Sequence, residues 1–470
     1  MNILQVEDDK EWFERVVKPA LINAGACQVF HAVNHDEALE ILHKEFIDYL
    51  IIDLAIPINR ESPTPDITNG LSLATYIRKN FAGTPILILT GQSTEEAVES
   101  FIENLPVTTF WDGNQHHIVK VKKKKNLDTV IETLASTISE LSSINAIELM
   151  SNRCELDRHE KRSVQLFAKH NNAIGAEINA ISEGLSSAKV LRITLLNSNG
   201  LPFHHALAKI DSHKNIDIED INFRSNISKL PVGSFPILLN SYYAGCGSKK
   251  GIFYQFATDY KSDYFDLVVK NQEDTIEVLE RLKIILNHWI QNKQMKQFTV
   301  KDIRRKLCSD VKFETIQHEL ASIDGIDVNT FEKNQISAYS CIQHCDLHGK
   351  NILISEDKHP IIIDYGDVNE QSSDIDIVTL ELSQYFHPSI RERFSPSIEL
   401  FENWFNDDYY LKNSPTPEVS KFLRDWKSDS SFMNRQYIVS VYSYAVRQLT
   451  YDGTNKNYAK ALIKAAINNF

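Results

Sequence analysis

The sequence predicts two modules of different class: an α/β, doubly wound parallel five-stranded sheet over residues 1–145, and an α+β region over 178–470, joined by a helical linker at 146–177. Three observations predict this. Residues 1–145 alternate apolar runs with amphipathic stretches at helical spacing, as strands and covering helices do. Acidic residues follow those apolar runs, where doubly wound sheets gather their ligands. Far downstream, residues 342–368 read IQHCDLHGKNILISEDKHPIIIDYGDV, a polar loop followed by two short apolar strands.

In the first module, residues 3–6 form a strand and 10–24 a helix with Trp12, Val16, Val17 and Leu21 on its apolar face. Residues 49–52 are a buried strand, 71–80 a helix and 86–89 the next strand. Glu7 and Asp8 end the first strand, Asp53 the third and Thr90 the fourth, while Lys120 follows His117-Ile-Val at the fifth. Three clustered carboxylates can hold one Mg²⁺, which would shield a phosphoryl group arriving at Asp53. A hydroxyl and an ammonium nearby can then sense the new charge. This set resembles the response-regulator receiver domain. The resemblance implies Asp53 as phosphoacceptor, Glu7, Asp8 and Asp53 as metal ligands, and Thr90 with Lys120 as the switch pair. Leu127 matches the apolar residue of the following helix and favours Lys120 over Lys122. Two stretches are longer than in that family: 58–69, rich in Pro, Ser and Thr, and the Thr90–Lys120 interval.

In residues 342–368, Asp346 precedes Asn351 by five residues, and the loop–strand–turn–strand order brings both to one hairpin end with Asp364. Phosphoryl transfer needs such a trio: one carboxylate for the attacking hydroxyl, an amide and a second carboxylate for the Mg²⁺ that bridges nucleotide phosphates. The segment resembles the H-G-D-L-H-x-x-N-I-L…I-D motif of the aminoglycoside/choline phosphotransferase branch of the protein-kinase-like fold. His344, Asp346, Leu347, His348, Asn351, Ile352, Leu353 and Asp364 match, and Cys345 replaces the usual glycine. The resemblance implies Asp346 as catalytic base, Asn351 and Asp364 as metal ligands, and His344 and His348 as residues that order the loop. Asp376-Ile-Val-Thr-Leu-Glu381 resembles the acidic helix that follows in these enzymes.

The same resemblance organises the chain upstream, with a small lobe over about 178–258 and a helical lobe over about 259–470. Gly184, Ser186, Ser187 and Ala188 are small enough for backbone N–H groups to approach phosphates. They precede strand-like 191–196, a turn at 197–200 and a returning strand, 205–210, that carries Lys209. Lys209 is then the lysine that neutralises the α/β-phosphates, with Glu219, slightly favoured over Asp220, holding its ammonium. Tyr254 opens the stretch 254–257, where kinase-like folds link their lobes and pair backbone groups with adenine. Residues 274–293 form an amphipathic helix, and 375–470 supply further aromatic-rich helices. The segment 127–150 keeps helical spacing as the first module's last helix, and 151–172 reads as a helical connector whose pattern allows a homodimer contact.

Composition bounds the rest. The 470 residues allow two to four domains at ~100–200 residues each. Net charge is −13, and the run KVKKKK at 120–125 lies in a segment with 12 Lys/Arg against 21 Asp/Glu, so it reads as a solvated helix start and not a nucleic-acid site. No stretch reaches the ~18 apolar residues of a membrane span. The start lacks a cationic, apolar signal, and six cysteines without CxxC spacing read as reduced thiols. His116-His117 and His204-His205 lack partners at zinc spacing. The whole reads as a cytoplasmic two-component protein with Mg²⁺ and ATP or GTP as cofactors. Its partners are a sensor histidine kinase or phosphotransfer protein as donor and an unidentified hydroxyl acceptor. The rival is a pseudokinase scaffold that binds nucleotide or a partner and relays receiver state without catalysis.

Overall fold

The computed structural model describes residues 1–90, 107–111, 113–124, 127–152, 154–181, 188–257, 259–431 and 433–470. The chain divides into two compact units, residues 1–217 with 237–256, and 218–236 with 257–470. Among the described residues no helix is long and apolar enough to cross a membrane.

The first unit holds two sheets. Strands Asn2–Val6, Gln28–Ala32, Tyr49–Asp53, Ile86–Thr90 and Val119–Lys123 make an all-parallel sheet in the spatial order second, first, third, fourth, fifth. Tyr49–Asp53 is buried throughout, as a central strand covered on both faces must be. The helices start where side chains satisfy their free N–H groups: Asn34 accepts from the Glu37 amide, and Asp66 from that of Thr68. The long Thr90–Lys120 interval contains a small hairpin, Val107–Thr109 against Gln115–His117.

The second sheet of this unit has six strands. Lys189–Leu196, Pro202–Ser212, Lys249–Gln255 and Leu238–Tyr242 pair antiparallel, and Gly175–Ala180 continues on the other side of Lys189–Leu196. Its outermost strand is Glu148–Asn152, which pairs parallel to Gly175–Ala180. Here the structure departs from the expected helical stretch 127–150 and helical linker 146–177. Helix Leu127–Asn145 stops, the chain turns, and Glu148–Asn152 adds a strand before helix Arg158–His170. The helical spacing through residue 141 simply does not continue into Glu148–Asn152, whose backbone groups find strand partners instead.

The two sheets of this unit share one apolar core running from Ile3 and Leu50 through Val164 to Phe253. Gly83 donates its N–H to the Gly247 carbonyl at 2.8 Å and accepts from the Gly245 N–H at 2.7 Å. Arg162 crosses to Asp48 at 2.7 Å, with both side chains buried.

The second unit is mostly helical. Two three-stranded sheets frame its polar loop: Gln294–Thr299, Gln335–Gln343 and Asn369–Ser372 in one, Ser262–Asp263, Ile352–Ile354 and Pro360–Ile362 in the other. Between the first two strands lie the short helices Val300–Leu307, Asp310–Thr315, Gln317–Ala321 and Val328–Phe331. Helices Ile375–Phe386, Asn434–Leu449 and Lys456–Asn469 pack on a core that includes Trp404, Tyr410 and Tyr442.

Candidate functional sites

The first site lies at the carboxyl ends of the parallel strands. Glu7, Asp8 and Asp53 each offer a carboxylate oxygen, and these atoms lie within 4.8 Å of one another. Three hard oxygen donors at that spacing fit Mg²⁺. Lys124 reaches into the cluster, with Nζ 2.9 Å from Asp53 Oδ2 and 2.8 Å from Glu7 Oε2. Its ammonium also stands 5.0 Å from the Trp12 ring centre. Burial pushes the Glu7 carboxyl up to about 7; Lys124 opposes this and the Asp53 charge adds to it. Asp53 is likewise raised by burial against the pull of Lys124. One ammonium therefore faces more acid than it can neutralise.

The lysine of this site is Lys124, not Lys120 as the sequence spacing indicated. Strand Val119–Lys123 places Lys120 opposite Leu87, one residue from its start, while Lys124 follows its last residue. Four residues of strand separate them by roughly 13 Å. The functional end of a parallel sheet is the carboxyl end, so only the later lysine reaches the acids. Thr90 closes the fourth strand opposite Lys123; its side chain lies outside the described residues.

The second site is built on the 342–368 segment. Helix Ile375–Phe386 supplies Asp376, which accepts from the His344 N–H at 2.7 Å and the Cys345 N–H at 2.8 Å. This cradle fixes a loop in which Cys345 takes a left-handed φ of 63°. His344 donates from Nε2 to the Ile363 carbonyl at 3.1 Å. Ile352 pairs with Ile362, and the Ile363 N–H donates to the Asn351 carbonyl at 3.0 Å, so Asn351 and Asp364 emerge at one hairpin end. Asn351 donates from Nδ2 to the Asp346 carbonyl at 2.9 Å, which leaves its amide oxygen as the atom for a cation. Asp364 holds a φ of 68°, a strained conformation for a non-glycine residue that concentrates at functional sites. Glu219 accepts from the Tyr365 N–H at 3.0 and 3.1 Å, and Asn222 donates to the Tyr365 carbonyl at 2.7 Å. These bonds pin the turn that carries Asp364. An amide oxygen and a carboxylate beside it suit Mg²⁺ shared with phosphate oxygens.

Asp346 meets a partner that sequence reasoning missed. Arg447, from helix Asn434–Leu449, has Nη2 3.2 Å from Asp346 Oδ1 and 3.2 Å from Asp367 Oδ2. It also donates to the Cys345 carbonyl at 2.9 Å. Burial alone would raise the Asp346 carboxyl; the Arg447 guanidinium, together with His348, His344 and His387, outweighs it, and the group is held at about 2. His348 lies 3.7 Å from Asp346 and is itself kept below the usual imidazole range by burial. Nothing in the local motif announces Arg447, which comes 101 residues after Asp346. The available signal was a lone arginine in an otherwise buried run, YSYAVRQL.

Lys209 lies within its antiparallel sheet, opposite Val190 and Ile252. Asp220, the alternative to Glu219, pairs with Arg224 at 2.9 Å. Tyr254 is 2% exposed and lies opposite Leu207 and Leu238, inside the strand. Its side chain is thus a core residue, and the Gln255 and Phe256 N–H groups are engaged by the Ile237 and His205 carbonyls. Gly184, Ser186 and Ser187 lie outside the described residues.

Residues 3–107 match the family described as the response regulator receiver domain. Among solved structures, the chain is similar to a thermostable mutant of the aminoglycoside phosphotransferase APH(4)-Ia in complex with ADP and hygromycin B. The identity is 12%, over 62% of this chain and 93% of that one, with a TM-score of 0.36. It is also similar to a Plasmodium vivax ethanolamine kinase, at 12% identity over 62% and 81%, with a TM-score of 0.34. The Francisella response regulator 1452 receiver domain is similar at 20% identity over 30% and 98%, with a TM-score of 0.23. A comparison with curated proteins gives no match. The chain thus carries a parallel sheet within the stretch that matches the receiver family, a second, mixed sheet and a largely helical region.

Proposed function

We propose that this chain is a two-component signalling protein in which phosphorylation of Asp53 regulates a Mg²⁺-dependent phosphotransferase that uses ATP or GTP. A sensor histidine kinase or phosphotransfer protein supplies the phosphoryl group to Asp53. In the second module Asp346 orients the acceptor hydroxyl and takes its proton as the bond forms. Asn351 and Asp364 hold the Mg²⁺ that offsets phosphate charge. Lys209 acts on the nucleotide phosphates, with Gly184, Ser186 and Ser187 in the loop before it. The protein works in the cytoplasm.

The observation that supports this best is the Asp346–Asn351–Asp364 loop, cradled by Asp376 and held by the Asn351 amide. A carboxylate as acidic as Asp346 is a weak base in the ground state. Phosphoryl transfer tolerates that, because its loose transition state develops most of the hydroxyl's acidity late, and catalysis rests on positioning and charge. The same Arg447 pair is the observation that favours the pseudokinase reading, since a scaffold gains from an ion pair that locks the loop.

Calorimetry with Mg·ATP and Mg·GTP on the full chain, followed by transfer of labelled phosphate to acceptors in a lysate, separates the two. Nucleotide binding with transfer supports the enzyme. Binding without transfer to any acceptor supports the scaffold, and absence of binding removes the nucleotide from both.

A further inference from the structure

Beside the catalytic loop is a cavity of about 210 Å³, lined by Arg305, Lys306, Ser309, Lys312, Asp367 and Arg447 together with Leu307 and Cys345. Four cations face one carboxylate in a chain whose net charge is −13. Arg305 pairs with Asp310 at 2.6 Å, and Lys306 donates to the Glu370 carbonyl. Lys312 is exposed and forms no ion pair with the described residues. Arg447 belongs both to this cavity and to the Asp346 pair, with one guanidinium nitrogen 3.2 Å from the Asp346 carboxylate. A group bound among these cations therefore lies one side chain away from the carboxylate that receives the acceptor hydroxyl.

We infer that this cavity is the acceptor subsite and that it selects a small hydroxylated molecule bearing an anionic group, a phosphate ester or a carboxylate. The inference rests on the reading of Asp346 as the group that acts on the acceptor. Fixed guanidinium and ammonium donors recognise phosphate and carboxylate oxygens through charge-assisted hydrogen bonds. The same cations repel the polycationic acceptors that an acidic pocket would collect. The cavity is the size of a phosphate with a few carbons, below the ~300–1,000 Å³ of a drug-sized site. Arg447 links recognition to chemistry. An anion that draws its guanidinium toward the cavity competes directly with the Asp346 carboxylate for that cation.

Glycerol 3-phosphate, glycerate and glycerol form a matched set of probes, titrated into the full chain by calorimetry with and without Mg and a non-hydrolysable ATP analogue. One or both anions should bind and glycerol should not, and the stronger anion identifies the group the cavity takes. Lys312→Glu and Lys306→Glu, both at exposed positions, should each weaken anion binding about ten-fold or more. Lys312→Ala should weaken it less. Lys283→Glu, whose partner is Asp429, serves as the control and should leave it unchanged. Thermal melting checks that each variant folds. Equal binding of glycerol and the anions, absence of anion binding, or anion binding untouched by both charge reversals overturns the inference. The nucleotide titration keeps the readings apart. Nucleotide binding without anion binding removes the subsite alone; anion binding without nucleotide binding keeps the cavity and removes the phosphotransferase.

Discussion

The two carboxylates proposed for phosphoryl chemistry, Asp53 and Asp346, have surroundings that push them in opposite directions. Asp53 shares its site with Glu7 and Asp8 against the single ammonium of Lys124. Burial and the neighbouring carboxylates raise Glu7, to about 7, and Asp53. Asp346 pairs with Arg447, which it shares with Asp367, and is held at about 2. The first site carries surplus negative charge that a divalent cation would neutralise. In the second, the Asp346 charge is held in an ion pair until something competes for Arg447. The same residue type thus stands in one place among uncompensated acids and in the other against a fixed cation.

The largest expected effects test whether both carboxylates react as this contrast requires. Asp346→Ala should leave nucleotide binding intact and lower phosphoryl transfer ~10²–10⁴-fold, the usual contribution of a general base. Asp53→Asn should abolish the acid-labile adduct formed from acetyl phosphate, seen by intact mass. An adduct that persists in Asp53→Asn would move the phosphoacceptor elsewhere. EDTA should suppress the adduct on the wild type, because the acid cluster lacks the positive charge to receive a phosphoryl group alone.

Next in size is the lysine. Lys124→Ala should slow adduct formation or uncouple it from downstream change by up to ~10²-fold, as for loss of one donor to developing charge. Lys120→Ala should behave as the wild type. Equal effects from the two substitutions would mean that Nζ of Lys124 does not contact the acids in solution.

The Lys120–Lys124 exchange shows what sequence could and could not convey. The alternation of apolar runs gave the parallel sheet, and the acids at strand ends followed from it, because covering both faces forces such a pattern. The fifth strand was harder. The inserted hairpin Val107–His117 shifted the strand start, and five lysines in six positions offered no contrast from which to read register. The Asp346–Asn351–Asp364 loop was legible because local geometry alone, a short hairpin, brings its groups together. Arg447 was not, because only tertiary packing carries a residue from the Asn434–Leu449 helix to the loop. Strand Glu148–Asn152 was hidden for a similar reason: pairing with Gly175–Ala180, rather than its own propensity, makes it a strand.

A substitution of intermediate effect asks whether the receiver-like sheet is tethered to the six-stranded sheet or built onto it. A Cβ at Gly83 would stand 2.1 Å from the Tyr243 carbonyl oxygen, a backbone atom that cannot swing away. Gly83→Ala should therefore part the Gly83–Gly245–Gly247 backbone contacts and cost about 1–3 kcal/mol, the range for overpacking. Denaturant unfolding should show the loss. If Asp53 chemistry also controls the second module, the same variant should weaken that control while leaving the adduct itself intact. An unchanged unfolding midpoint would mean that the two sheets yield easily at this contact.

The smallest effect concerns which cation restrains Asp346. His387 packs 4.7 Å from His348 and 5.2 Å from Phe265, ring centre to ring centre. Burial, helped by the positive charge His348 and Lys350 place nearby and opposed by Asp346, lowers His387 from 6.5 to about 3. The unfolded chain therefore takes up a proton as pH falls below 6.5, while the folded chain does not until about 3. The unfolded state binds more protons across that window, so stability must fall with falling pH. Above 6.5 both states are neutral at this residue and the contribution is constant. One such group changes stability by at most about 1.4 kcal/mol per pH unit, and partial solvent access reduces that to about 1. His387→Asn should flatten the slope of unfolding free energy against pH between 6.5 and 5.5 by that amount. A neutral imidazole pair at neutral pH leaves Arg447 as the charge that keeps Asp346 acidic, which is the contrast with Lys124. An unaltered slope in His387→Asn would instead mean that the histidines are charged in the folded protein and share the restraint, and the two sites would then differ less than their geometry implies.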